Sequence, residues 1–330
     1  MQEVVRASPR VTGSFLGVLA PVALLAGLAL SGLGCRRDEP KPARDVAAAA
    51  PGRAGASAAA NSVTHPGSAA GATSPAATPP PTLRLISLTP SATEIVAALG
   101  ASALLVGVDD YSTYPAEVTR LPKVGSFLAP NLEAIVSLSP TLVIVDDVHG
   151  QAAGALRDAG VETIACAIHA LPDVKAALRS VGARIGKSVD AERVVAGIDA
   201  ALDRAAADRP AKRPRVLAVI DREAGGLGNL VTAGPGSWLD ELLAVVGGDN
   251  VLRAAAVRYP KISIEEVLRT RPDVILDLSY AARESTTAWR AVAVPAVAAG
   301  RVRALADPYL LAPSPRVPEA LAALAAALRE

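Results

Sequence analysis

Two stretches of this chain can be laid over one another without a gap. Asn131-Leu132-Glu133-Ala134-Ile135-Val136-Ser137-Leu138-Ser139-Pro140-Thr141-Leu142-Val143-Ile144-Val145 matches Ser263-Ile264-Glu265-Glu266-Val267-Leu268-Arg269-Thr270-Arg271-Pro272-Asp273-Val274-Ile275-Leu276-Asp277 in its order of local signals. Each runs from a cap, through a short amphipathic helix and a proline break, into a buried strand. The repetition therefore reads as two similar α/β lobes. Glu133 and Glu265 occupy the same place in it, in the first helical turn, where a carboxylate meets the positive end of the helix dipole. Helix capping by itself accounts for both glutamates, and a role outside the helix is the competing reading.

A chain of 330 residues has room for two domains at roughly 100–200 residues each, and its 51% hydrophobic content supports packed cores. A formal net charge of +1 and a pI near 7.8 give no global electropositive surface of the kind that phosphate neutralisation requires. Nucleic acid is accordingly not an expected partner.

The first 82 residues stand apart from the repeat. In residues 1–35, Arg6 and Arg10 precede an uncharged apolar run from Phe15 through Leu33, the pattern of an export segment. A run of ~19 residues is also long enough for an N-terminal membrane anchor. Gly27, Gly32 and Gly34, crowding toward Cys35, favour processing instead. Residues 36–82 are mostly Ala, Gly, Pro, Ser and Thr, with too few large apolar side chains to offset the entropy of ordering them. A tether of roughly 45 residues is the expectation.

From Leu83 onward apolar strands alternate with helices. Residues 83–170 read as an N-terminal α/β lobe and 209–330 as a C-terminal one. Strands are expected at Leu85–Leu88, Leu104–Val108, Leu142–Val145, Thr163–Ile168, Val216–Ile220 and Val274–Leu278. Ser91 with Glu94 three residues later reads as a capping box for the first helix. The Ala-rich stretch 171–208 reads as one long connecting helix, with Gly186 as its weak point. Two distant cysteines make no disulfide framework, and Cys166 in an apolar run reads as a buried small hydrophobe.

Leu30-Ser31-Gly32-Leu33-Gly34-Cys35 resembles the lipobox of bacterial lipoproteins, which implies lipidation of Cys35, although Gly32 stands where a large aliphatic residue is usual. The folded region resembles the periplasmic binding proteins of ABC importers for vitamin B12, iron siderophores and haem. The resemblance is carried by Arg84-Leu85-Ile86-Ser87-Leu88-Thr89-Pro90-Ser91-Ala92-Thr93-Glu94, Val106-Gly107-Val108-Asp109-Asp110-Tyr111-Ser112-Thr113-Tyr114-Pro115, Leu121-Pro122-Lys123-Val124-Gly125, Asn131-Leu132-Glu133 and Gly234-Pro235-Gly236-Ser237-Trp238-Leu239-Asp240. It implies two Rossmann-like lobes joined by a single long helix, with a cobalamin-like or other metal-chelate ligand between them. It further implies that Glu133 and Glu265 dock the protein, as a monomer, on a membrane permease.

Aromatic residues are only 3% of the chain, yet Tyr111, Tyr114 and Phe127 fall in expected loops of the first lobe, and Trp238 and Tyr259 in the second. Rigid aromatic area suits a flat, bulky ligand. Leu239, Leu242 and Leu243 follow Trp238 at helical spacing, so core packing is its alternative. Tyr309 is a fainter candidate. Arg222, Arg258 and Arg283 could hold an anionic ligand, but read better as solvated surface. The folded region has only His149 and His169, so no metal site and no cofactor are expected. Gly225-Gly226-Leu227-Gly228 lacks the lysine of a phosphate-binding loop and reads as a turn. No nucleophile motif points to an enzyme. A lipoprotein sensor or scaffold of the same fold is the alternative to an importer component, and an enzyme a more distant one. Either way the chain is expected outside the cytoplasm.

Overall fold

The structure, a computed structural model, describes residues 83–329. The export segment, Cys35 and the tether lie outside the described residues. None of the described helices is long and apolar enough to cross a membrane.

The chain enters through β1 (Leu85–Ser87), α1 (Pro90–Ala98), β2 (Leu105–Val108) and a two-stranded hairpin, β3 (Gly125–Ser126) with β4 (Ala129–Pro130). There follow α2 (Leu132–Ser137), β5 (Leu142–Val145), α3 (Gly150–Asp158) and β6 (Glu162–Ala165). The first sheet has the order β2-β1-β5-β6 with every pairing parallel.

After α4 (Leu171–Arg184) and α5 (Ser188–Ala207) come β7 (Arg215–Asp221), β8 (Leu230–Thr232), α6 (Trp238–Val246), β9 (Asp249–Asn250) and β10 (Lys261–Ile262). The chain ends with α7 (Ile264–Thr270), β11 (Val274–Asp277), α8 (Tyr280–Glu284), α9 (Pro295–Ala298), β12 (Val302–Ala304) and α10 (Val317–Arg329). The second sheet has the order β10-β8-β7-β11-β12, with β9 beside the start of β7. Its β7, β11 and β12 are parallel, whereas β8 runs against β7.

The sequence repeat survives in three dimensions. Both β5 and β11 are buried at every residue and lie between two parallel neighbours. Ser139 and Arg271, the matching residues before Pro140 and Pro272, share a left-handed backbone, with φ of 46° and 43°. Each lobe thus turns from helix to strand by the same unusual step.

The expected single helix over 171–208 is two helices. Gly186 adopts a φ of +73°, which a residue with a Cβ reaches only at a cost, and the chain doubles back between α4 and α5. The helices are tied side by side by Lys175 to Asp199 at 2.9 Å and Arg179 to Glu192 at 2.9 Å. All strands of the first sheet precede this passage and all strands of the second follow it. One hydrophobic core runs through it, from Leu85, Ile95 and Leu142, through Val174, Leu178, Val195 and Ile198, to Val216, Leu242, Leu276 and Leu324. Each sheet buries its other face in a separate cluster, around Val143 and Ile135 in the first and around Leu217 and Trp289 in the second.

Candidate functional site

In open parallel sheets a ligand sits outside the carboxyl ends of the strands. At the end of β2 the chain carries Tyr111 and Tyr114, both exposed, on a loop secured by buried polar contacts. Asp109, fully buried, accepts the Tyr111 amide at 2.9 Å and the Ser112 hydroxyl. The hydroxyl chain continues from Ser112 to Thr93 at 2.7 Å and from Thr93 to Ser87 at 2.5 Å. Lys123 Nζ donates to the carbonyls of Ser112 at 2.8 Å and Asp109 at 3.1 Å. Burial raises the Asp109 pKa, against the lowering effect of its hydrogen bonds from Ser112 and Tyr111. Two tyrosines are therefore offered to solvent from a rigid base.

Phe127 tips the β3–β4 hairpin and is half-buried. Gly125 makes the hairpin possible: its φ is +100°, and a Cβ there would lie 2.5 Å from the Ala129 carbonyl. The Phe127 ring lies edge-on to His149, with centroids 5.3 Å apart, and its carbonyl is 2.6 Å from His149 Nε2. His149 Nδ1 accepts the Asp146 amide at 2.9 Å, so Nε2 carries the proton and donates to Phe127. Both ring nitrogens are thus committed to joining the hairpin to the end of β5.

Beside them, Asp146, Asp147 and His169 bring one donor atom each within 4.8 Å of one another. His169 Nε2 lies 3.1 Å from Asp147 and 3.9 Å from Asp146. Burial, reinforced by Asp147, pushes the Asp146 carboxyl up to about 6. No metal site was expected from sequence, in which Asp147 and His169 stand 22 positions apart.

The second lobe departs further from expectation. Trp238 is only 2% exposed, packs in the core at the start of α6 and donates Nε1 to the Tyr309 carbonyl at 3.3 Å. It is a core residue and not the ligand contact expected from sequence, because the helical spacing of Leu239, Leu242 and Leu243 carries it inward. Tyr259, half-buried on the chain entering β10, has its hydroxyl pKa raised by burial. No hydrogen bond or ring contact among the described residues joins it to Tyr111, Tyr114 or Phe127.

Arg222 also differs from the solvated cation expected from sequence. It is buried, not solvated, and donates Nε to Asp277 at 2.7 Å while its other nitrogens reach the carbonyls of Gly226 at 2.8 Å and Ser285 at 2.7 Å. It braces the Gly225–Gly228 turn. Tyr280, not expected as a site residue from sequence, follows the carboxyl end of β11 and is 72% exposed, with Arg283 5.7 Å from its ring centroid. An aromatic residue just past a buried strand was the signal available for it.

Thr89, not Ser91, caps α1 by accepting the Ala92 amide at 3.0 Å. Glu94 is thereby released from capping and binds Arg316 across the lobes at 2.6 Å.

Glu133 and Glu265 are both exposed, and among the described residues neither forms an ion pair. Asn131 caps α2 through the Ala134 amide at 3.0 Å. No side chain caps α7 at Ser263; the nearby Ser263 hydroxyl, and then the residue's own amide, hold the Glu265 carboxyl below its usual range. Glu266 is occupied by Arg269 at 2.8 Å. Three residues beyond each glutamate stands an exposed aliphatic side chain, Val136 in α2 and Leu268 in α7.

Two α/β lobes on one connecting passage, with aromatic residues at the strand ends, define a ligand-binding protein of the bilobal kind. The model of the periplasmic binding protein family matches residues 85–309, and the chain belongs to that family. A vitamin B12-binding protein of Vibrio cholerae serotype O1 is 28% identical over 250 residues, which cover 74% of this chain and 88% of that protein. Among solved structures, the periplasmic haem-binding protein RhuT from Roseiflexus sp. RS-1 is 31% identical, with a TM-score of 0.66 over 75% of this chain and 98% of the other. The periplasmic vitamin B12-binding protein BtuF of Vibrio cholerae is 27% identical, with a TM-score of 0.62 over 74% and 96%.

Proposed function

We propose that this chain is the substrate-binding component of an ABC importer, capturing a metal chelate of the cobalamin, haem or siderophore class between its lobes outside the cytoplasm. The observation that carries this reading is the pair of exposed tyrosines, Tyr111 and Tyr114, on a loop whose polar groups are spent on holding it still. Rigid aromatic area binds a flat ligand with little ordering cost. Tyr280 and Tyr309 add aromatic surface from the second lobe. The relatives are named for binding vitamin B12 or haem, which supports capture rather than catalysis.

Glu133 with Val136 and Glu265 with Leu268 form two like patches, one per lobe. Each offers a carboxylate beside an aliphatic side chain to a permease with two similar subunits. Cys35 would carry the lipid that keeps the protein at the membrane. Native mass spectrometry of the full chain with cyanocobalamin, haemin and a ferric siderophore tests the reading. One molecule of one of these retained per chain is the expected result; retention of none overturns it.

A further inference from the structure

Among the described residues, one ion pair joins the first lobe to the second. Glu94 of α1 accepts both arms of the Arg316 guanidinium, at 2.9 Å from Nε and 2.6 Å from Nη2, across 222 positions of sequence. The two side chains are 10% and 16% exposed, so the pair is largely withdrawn from water. The same guanidinium lies 4.0 Å from the ring centroid of Tyr114 in the first lobe and 4.7 Å from that of Tyr309 in the second. A planar fork can satisfy a carboxylate at its edge while its faces meet aromatic rings. Glu319 adds a further negative charge near the guanidinium, and Glu117 lines the same crevice of about 330 Å³.

We infer that Arg316 is a positioning residue that sets the gap between the lobes and holds Tyr114 and Tyr309 as a fixed aromatic pair before any ligand arrives. Each ring belongs to a different lobe, so a single side chain fixes their separation. Lysine cannot replace it, because a point charge on a flexible stem makes neither the fork nor the planar stack. The continuous core through α4 and α5 joins the lobes on one side, and the Glu94–Arg316 pair adds a polar fastening between α1 and the chain entering α10. The presentation of the aromatic pair to ligand rests on the function proposed above; the setting of the gap does not.

Hydrogen–deuterium exchange of the full chain, as wild type, Arg316→Lys and Glu94→Gln, tests the inference. Both variants should raise exchange about fivefold or more in segments 109–117 and 308–316 together, while the strands Leu142–Val145 and Val216–Val219 keep wild-type rates. A rise confined to one segment, no rise, or a rise that includes the strands overturns it. Titration with haemin and with cyanocobalamin supplies the second arm. Whichever probe binds the wild type should bind Arg316→Lys roughly tenfold more weakly. Unchanged affinity overturns the presentation of the pair. If neither probe binds the wild type, the ligand reading has failed, and the exchange result alone decides the clamp.

Discussion

Replacing Asp277 with asparagine asks whether Arg222 is a strut or a surface cation. Asp277 Oδ2 accepts from Arg222 Nε at 2.7 Å and Trp289 Nε1 at 2.8 Å, and Oδ1 from the Ser279 hydroxyl at 2.6 Å and amide at 3.2 Å. Asparagine keeps the volume but turns one of these two acceptors into a donor. In either orientation a buried N–H then faces another donor, and the guanidinium loses its counter-charge. Removing one partner of a buried pair costs about 3–5 kcal/mol. A folded region of roughly 250 residues loses about 2–4 °C per kcal/mol, so the thermal midpoint should fall by about 6–20 °C. Thermal unfolding followed by circular dichroism reads this. Changing Asp277 and Arg222 together to leucine and methionine should recover part of the loss, since apolar replacements of a buried pair are often neutral. A fall of less than about 3 °C for Asp277→Asn would refute the reasoning, because it would mean that solvent reaches the guanidinium.

The Asp146 carboxyl has its folded value raised from 3.8 to about 6, so the stability it contributes is complete below about pH 4 and is lost as the pH rises through 6. Urea midpoints across that window should decline in the wild type and decline less in Asp146→Asn. Burial first, and then the charge of Asp146, push the Cys166 thiol up to about 11. Iodoacetamide should leave Cys166 unmodified in the native protein and label it after denaturation, as peptide mass spectrometry would report. Gly125→Ala sets a Cβ 2.5 Å from the Ala129 carbonyl at a φ of +100°. It should lower stability by about 1–3 kcal/mol, read in urea unfolding, and weaken ligand binding through the Phe127 hairpin. Glu133→Ala with Glu265→Ala should abolish transporter-dependent uptake in cells while leaving the thermal midpoint within about 2 °C of the wild type, since both carboxylates face solvent.

Buried strands and short amphipathic helices were legible from their apolar patterns alone. Leu132–Ser137, Leu142–Val145 and Ile264–Thr270 fall where the sequence puts them. Short strands such as β8 and β12 were not, because three residues carry too little periodicity to stand out. The break at Gly186 was visible as a weak point, but the folding back of α5 on α4 depends on contacts between helices. At the site, Tyr111 and Tyr114 were marked as loop residues by Pro115 and two aspartates. Glu94 and Arg316 could not be paired from sequence: the local capping signal at Ser91 competes for Glu94, and its partner is 222 residues away. Arg222 looked like surface because charge alone does not reveal a buried carboxylate such as Asp277.

Isothermal titration of the full chain with haemin, cyanocobalamin and a ferric siderophore, repeated on Tyr111→Ala with Tyr114→Ala, puts capture between the lobes to the test. Saturable one-to-one binding of one ligand, weakened about tenfold or more by the double variant while its thermal midpoint holds, is the predicted result. Saturable binding that the double variant leaves unchanged, or no binding of any of the three, would contradict it.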